Sequence, residues 1–127
     1  MKKELIDSAT PTGKVRIQHL DADGNLKGEH YVNNLVVTTG KNYIASKMVA
    51  TTNSPVSMTH MAIGTGTTTP AAGDTALGTQ TGRVTLAGSS VSSNAITYTA
   101  TFPAGTGSGA ITEAGIFNAS SGGTMLC

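Results

Sequence analysis

The stretch that decides the fold is residues 94–103, with the sequence NAITYTATFP. Apolar side chains alternate in it with threonines: Ile96, Tyr98, Ala100 and Phe102 fall on one face, and Thr97, Thr99 and Thr101 fall on the other. A period of two predicts a β-strand with one face on a core and the other exposed. Because the exposed face is polar and threonine favours strands, the pattern indicates an antiparallel sheet.

Shorter segments separated by turn residues predict more strands on both sides. They are KVRIQHL (14–20), LKGEHYV (26–32), MTHMAIG (58–64), GRVTLAG (82–88), AITEAGIFNA (110–119) and TMLC (124–127). The turn residues DADGN between the first two predict a hairpin. Six or seven short strands in this arrangement predict an all-β fold, a mainly antiparallel β-sandwich or a jelly-roll-like barrel.

One segment has helical rather than strand spacing. Ile44 and Met48 are four residues apart, and Thr38 or Thr39 is suitable as an N-cap. The sequence therefore predicts one short α-helix near residues 39–49, which needs to pack on a sheet to be stable.

The chain is predicted to contain an arm and one domain. Residues 1–12 are polar and end in ATPTG, which predicts a flexible N-terminal arm. Residues 13–127 suffice for a single β-rich domain with a small core. Its last strand, 124–127, is cut short, which leaves open whether a final strand is missing. No apolar segment of signal-peptide or membrane-span type is present in the sequence.

Charge almost disappears from the chain after Lys47. Only Asp74, Arg83 and Glu113 are charged there, and Thr, Ser, Gly and Ala fill the remainder. An enzyme of this size would be expected to use some of these positions for acids, bases or metal ligands. The net charge of +1 comes without a basic cluster, so no nucleic-acid surface is indicated. The composition predicts a non-enzymatic structural or assembly protein with no cofactor and no membrane partner.

Two kinds of motif could suggest ligand binding, and both are weak. DADGN (21–25) resembles the start of a calcium loop, but its glycine is at the fourth position and Val32 stands where the ligating Glu would be. The glycine-rich GTGTTTP (64–70) and GTGSG (105–109) lack the Lys-Ser/Thr of a phosphate-binding loop. We interpret all three as turns.

The histidines do not have the spacing of a metal site. His19 and His30 lie on opposite arms of the predicted hairpin without a third ligand, and His60 is remote in sequence. The sequence therefore predicts no catalytic, cofactor-binding or metal-binding residue.

Arg83 and Glu113 are isolated charges in apolar or hydroxyl-rich strands. An unpaired charge is costly if it is buried. Either both side chains reach solvent, or they form a structural ion pair, within the chain or between subunits, that fixes strand register.

The uncharged threonine and glycine surface is the candidate assembly interface. Its residues are Thr65, Thr67 and Thr68 in the long loop that ends at Gly82, and Thr97, Thr99 and Thr101 on the strand. Small hydroxyl side chains let another backbone approach closely and lose little rotamer entropy on contact.

Longer motifs run through most of the chain. They are NLVVTTG (34–40), MAIGTGTT (61–68), DTALG (74–78), Arg83, the alternating strand 96–102 and ITEAGIFN (111–118). In this combination and order, the chain resembles small structural proteins of tailed bacteriophage virions, of the decoration (cement) or tail-fibre/collar type. The resemblance extends from about residue 14 onward.

The resemblance implies a virion protein made in the bacterial host cytoplasm. One expectation is a capsid decoration protein that binds the outer shell and bridges capsid subunits; the alternative is a tail-fibre/collar component or a fibre-anchoring domain of the tail. Without shaft repeats or coiled-coil heptads in the sequence, decoration is favoured. The implied partners are the major capsid protein or tail- and portal-associated virion proteins, with the chain as a homo-oligomer on the particle. The proteins that it resembles continue past GTMLC with one or two further strands, so the resemblance implies either a short member or a fragment.

Overall fold

The computed structural model describes residues 1–4, 10–49 and 54–127. The chain divides into two compact units, Met1–Asn34 and Leu35–Cys127. This boundary lies within the region that the sequence predicts as a single domain. The predicted arm includes residues 5–9, which lie outside the described residues.

The first unit is a β-hairpin. Strands β1 (Gly13–Leu20) and β2 (Leu26–Asn34) pair antiparallel, with Val15 opposite Val32 and Ile17 opposite His30. The carboxylate of Asp21 closes the turn between them, because it accepts the backbone N–H groups of Asp23 at 3.0 Å and Asn25 at 2.8 Å. DADGN is therefore an Asx-type turn, as the sequence predicts.

The two faces of this hairpin differ in character. On one face Glu29 pairs with Arg16 and accepts a hydrogen bond from Gln18, while Val15, Ile17 and Val32 lie on the other. None of the described residues in this unit is buried. A two-stranded ribbon without a core is only marginally stable in water.

Among its described residues, the second unit holds one helix and five strands. They are α1 (Thr38–Lys47), β3 (His60–Gly64), β4 (Gln80–Thr85), β5 (Gly88–Ser92), β6 (Ala95–Thr99) and β7 (Glu113–Phe117). The central sheet has the order β4-β3-β7, with both pairs antiparallel. Val37, Ala62, Phe117 and Met125 form its buried core, with Leu77 packed against them.

The C-terminal segment pairs with β7 only briefly. Phe117 and Met125 form an isolated bridge, and the N–H of Leu126 donates to the carbonyl of Ile116 at 2.8 Å. The predicted strand 124–127 is thus reduced to a short extension of the sheet edge.

The helix forms where the sequence predicts it, but it begins differently. Val37 is the N-cap and makes no side-chain capping bond. Instead, the hydroxyl of Thr39 donates to the carbonyl of Met125 at 3.1 Å, so it ties the helix to the C-terminal segment. Gly40 is the helix's buried residue, and a Cβ there would overlap the carbonyl oxygen of Leu126. Close packing against the C-terminal segment thus replaces the predicted threonine cap.

Strands β5 and β6 form a second hairpin, shorter than the sequence predicts. The alternating stretch 94–103 is a strand only from Ala95 to Thr99, and Ile96 is 57 % exposed rather than in the core. Its partner β5 carries Val91, which lies opposite Ile96 and is 73 % exposed. The sequence missed β5 because SSVSS has almost no apolar alternation.

The predicted all-β fold with one short helix is confirmed. Its strands form three small antiparallel sheets, of two, three and two strands. Across the described ranges these sheets do not close into a barrel.

Candidate functional site

A carboxylate clamp holds the long loop of the second unit in place. Glu113, at the start of β7, accepts the N–H of Gly66 at 3.0 Å and of Thr79 at 2.7 Å through Oε1, and of Gly78 at 2.8 Å through Oε2. Since these donors lie near the two ends of loop 65–79, one side chain fixes the base of the whole loop. We call this arrangement the Glu113 clamp.

The Glu113 clamp explains a glycine in the motif MAIGTGTT. A Cβ at Gly66 would lie 2.6 Å from Oε1 of Glu113, too close for any other residue without a shift. Beside it, the hydroxyl of Thr112 donates to the carbonyl of Gly66 at 2.6 Å. Both polar groups of this glycine are therefore held by the segment that leads into β7.

The environment of Glu113 favours its ionised form. Burial alone raises the pKa of the carboxyl, but the hydrogen bonds from Thr79, Gly78 and Gly66 stabilise the carboxylate and bring its pKa below the ordinary value of 4.5. All three bonds come from backbone N–H groups, so the carboxylate has a structural role here.

The rest of the loop is also tied down. The carboxylate of Asp74 accepts the N–H of Ala71 at 2.8 Å, and the carbonyl of Ala72 accepts the N–H of Thr38 at 2.7 Å. Leu77 packs against the core. The loop is therefore ordered by its own hydrogen bonds, by the core and by the start of α1.

Arg83 does not pair with Glu113, so the predicted ion pair within the chain is wrong. Its guanidinium lies 3.7 Å from the centre of the Phe117 ring and donates to the carbonyls of Ala119 at 3.1 Å and Gly122 at 3.0 Å. The side-chain oxygen of Gln80 accepts two further bonds, at 3.1 and 2.7 Å. Burial lowers the pKa of Arg83.

The physical reason is that each charge finds backbone partners close by. Glu113 is surrounded by N–H groups, and Arg83 by carbonyls and an aromatic face, so each is stabilised without the other. An ion pair between subunits remains a prediction.

The predicted assembly threonines lie on two separate elements. In the loop, Thr67 and Thr68 are exposed, while Thr65 is half-buried and its N–H donates to the carbonyl of Thr79 at 3.0 Å. Thr97 and Thr99 on β6 are exposed. Thr101, also exposed, follows the strand rather than belonging to it.

Sequence reasoning missed an apolar surface on the opposite side of the β5–β6 hairpin. Val91, Ile96 and Tyr98 line a groove together with Tyr43 of α1 and Met58. Burial, and then the nearby Tyr43 and Cys127, raise the pKa of Tyr98. The signal was available in the sequence, because Ile96 and Tyr98 share a face, but that face is only partly covered.

Within residues 1–4, 10–49 and 54–127, no three His, Cys, Asp or Glu side chains come together as a metal site. Nor does any helix in those ranges have the length and apolar character needed to cross a membrane.

The motifs that carry the resemblance meet at the Glu113 clamp and at Arg83. MAIGTGTT supplies Gly66, DTALG supplies Leu77 and Gly78, and ITEAGIFN supplies Glu113 and Phe117. These motif residues therefore help to build the fold. A scan against protein-family models found no match, and searches of curated proteins and of solved structures found no significant similarity. The virion resemblance stays a prediction.

Proposed function

We propose that this chain is a non-enzymatic structural protein of a tailed-bacteriophage virion, and that it acts as a capsid decoration protein. In this role it binds the outer shell and bridges capsid subunits. The observation that carries the proposal is the β5–β6 hairpin, which is uncharged and, apart from the half-buried Tyr98, exposed. The motif resemblance supports the same assignment.

The exposed apolar pair on this hairpin would be stabilised by contact with a partner. Val91 and Ile96 lie opposite each other and are 73 % and 57 % exposed. Full burial of a side chain of this size contributes about 1.5–3 kcal/mol. A contact that covers both would therefore gain affinity from residues that contribute little to the core of the single chain.

Because the hairpin has no charged side chains, contact with a shell has a small desolvation penalty. The sequence has no Asp, Glu, Lys or Arg between Arg83 and Glu113. No ionised side chain from this stretch would have to leave water when the hairpin is covered. Each contact can be weak, because a shell repeats it many times and avidity adds to the binding.

The Glu113 clamp would help by ordering the surface before binding. Thr67 and Thr68 are exposed on a loop whose base is fixed by three hydrogen bonds. A loop that is already ordered loses less conformational entropy on association. The loop threonines and the β5–β6 hairpin together are the proposed assembly surface.

One observation favours the alternative, a tail-fibre/collar component or a fibre-anchoring domain. The N-terminal unit is a two-stranded ribbon in which no described residue is buried. Because such a ribbon is only marginally stable by itself, burial against another chain would stabilise it. In a fibre anchor, that cover would come from the tail.

Binding to particles that lack the protein tests the proposal. The purified chain is added to virions from a phage in which its gene is deleted, and bound protein is measured after sedimentation. We expect saturable binding at a stoichiometry close to a simple ratio with the major capsid protein. Binding restricted to isolated tails would support the alternative, and no binding to either would contradict the proposal.

A further inference from the structure

Two histidines lie side by side on the exposed hairpin of the first unit. His19 is on β1 opposite Gly28, and His30 is on β2 opposite Ile17, so the two are diagonal neighbours on one face. Their ring centroids are 5.7 Å apart and the ring planes differ by 27°. Both side chains are exposed.

The ring nitrogens of this pair are available to a ligand. Within the described part of the chain, each ring stacks on the other and neither makes a hydrogen bond. His60 differs: its Nδ1 lies 2.8 Å from the hydroxyl of Thr59, and its Nε2 lies 3.4 Å from that of Thr85. The chain thus contains both an available imidazole pair and an occupied imidazole for comparison.

The spacing of the rings suits one metal ion held by both. Two imidazole nitrogens at about 2.0–2.1 Å from a tetrahedral zinc place their ring centroids roughly 5 Å apart. The observed 5.7 Å exceeds this by less than an ångström, which small side-chain rotations of exposed rings can close.

The surroundings do not oppose a cation. The strand residues nearest the pair on this face are apolar or small, namely Val15, Ile17, Gly28 and Val32. The nearest turn contributes Asp21, whose carboxylate lies 3.6 Å from the ammonium of Lys27. Arg16 is on the opposite face, paired with Glu29.

We propose that His19 and His30 form a two-imidazole binding site for a first-row transition-metal dication, with zinc the best fit. Water fills the remaining coordination positions, so the site stays open. Because the ligands come from both strands and meet only in the folded hairpin, the bound ion stabilises a ribbon that has no core of its own.

Calorimetric titration with zinc chloride tests this site. The full chain is used without an affinity tag, after chelator treatment, at pH 7.5. We expect saturable binding of one zinc per chain. H19Q and H30Q should each weaken it by about tenfold or more, because either change removes the chelate. Magnesium, which prefers oxygen ligands, should not bind.

Two variants serve as controls. H60Q and Cys127→Ser should bind zinc as the unmodified chain does, and far-UV circular dichroism should be the same for all variants. The proposal is overturned if the chain binds no zinc, or if H19Q and H30Q bind it as well as H60Q does.

Discussion

The guanidinium of Arg83 lies over the ring of Phe117, 3.7 Å from its centre. Phe117 is 1 % exposed and is the largest fully buried side chain among the described residues. The arginine therefore covers one side of the core while its N–H groups hold the turn that follows β7. A charge that looks isolated in the sequence links the packing of the sheet to the path of the chain after it.

Replacement of Arg83 by lysine should destabilise the second unit. Lysine keeps the charge but loses the planar contact with Phe117 and the forked hydrogen bonds to two carbonyls. We expect a loss of about 1–2 kcal/mol in the free energy of unfolding, measured by urea denaturation. The exposed Lys41→Arg change on α1 is the control and should have almost no effect. An equally small effect of Arg83→Lys would contradict this role.

Removal of the Glu113 carboxylate should loosen the long loop. Glu113→Ala leaves the N–H groups of Gly66, Gly78 and Thr79 without their acceptor, and we expect a loss of about 1–3 kcal/mol in unfolding free energy. Hydrogen exchange at these three amides should accelerate. Glu29→Gln, which removes an exposed ion pair, should reduce the stability less. Unchanged exchange in Glu113→Ala would show that the clamp is not needed.

The clamp should also be sensitive to acid. The folded pKa of Glu113 lies below its ordinary value of 4.5, so the folded state favours the ionised carboxylate. Its stabilisation is complete well above pH 4.5 and is lost as the pH falls through the folded pKa. We therefore expect the stability difference between the unmodified chain and Glu113→Gln to shrink below pH 4.5, in urea titrations from pH 7 to pH 3. A constant difference would contradict the assigned hydrogen bonds.

Local sequence patterns predict the strands and the helix of this fold more reliably than they predict which side chains are buried. The alternation around Ile96 and Tyr98 identified a strand, and the spacing of Ile44 and Met48 identified the helix. The exposure of Ile96 was not predictable, because alternation shows which side chains share a face but not whether anything covers that face.

The same limit applies to the candidate site. The sequence singled out Arg83 and Glu113 as costly isolated charges, and both are indeed satisfied by specific partners. Most of those partners are backbone groups distant in sequence, such as those of Ala119 and Gly66. Arg83 also contacts the Phe117 ring. Residue type does not show which backbone N–H or carbonyl group a side chain will bind. The sequence therefore suggested a pairing between the two charged side chains.

Charge placed on the proposed assembly surface should reduce incorporation into particles. Thr99→Lys and Thr68→Glu change exposed side chains, so the fold should stay intact by circular dichroism. A charge that must leave water on contact weakens every repeat of that contact, and we expect at least about a tenfold loss of bound protein. Asn42→Lys, an exposed change on α1, is the matched control and should load normally.

The apolar side of the same hairpin gives a second test of that surface. Ile96→Asp places a charge on the exposed pair with Val91, while Asn42→Asp places one on the exposed surface of α1. If the apolar pair supplies binding energy, Ile96→Asp should reduce loading more than Asn42→Asp does. Normal loading of Ile96→Asp would show that this pair stays exposed on the particle.

The copy number of the chain in purified virions tests the central claim most directly. It can be measured by quantitative mass spectrometry with isotope-labelled peptides, using the major capsid protein in the same sample as the reference. We expect a copy number of the same order as that of the capsid subunits. A small number set by the symmetry of the tail would contradict the decoration role, and absence from purified virions would contradict the virion assignment itself.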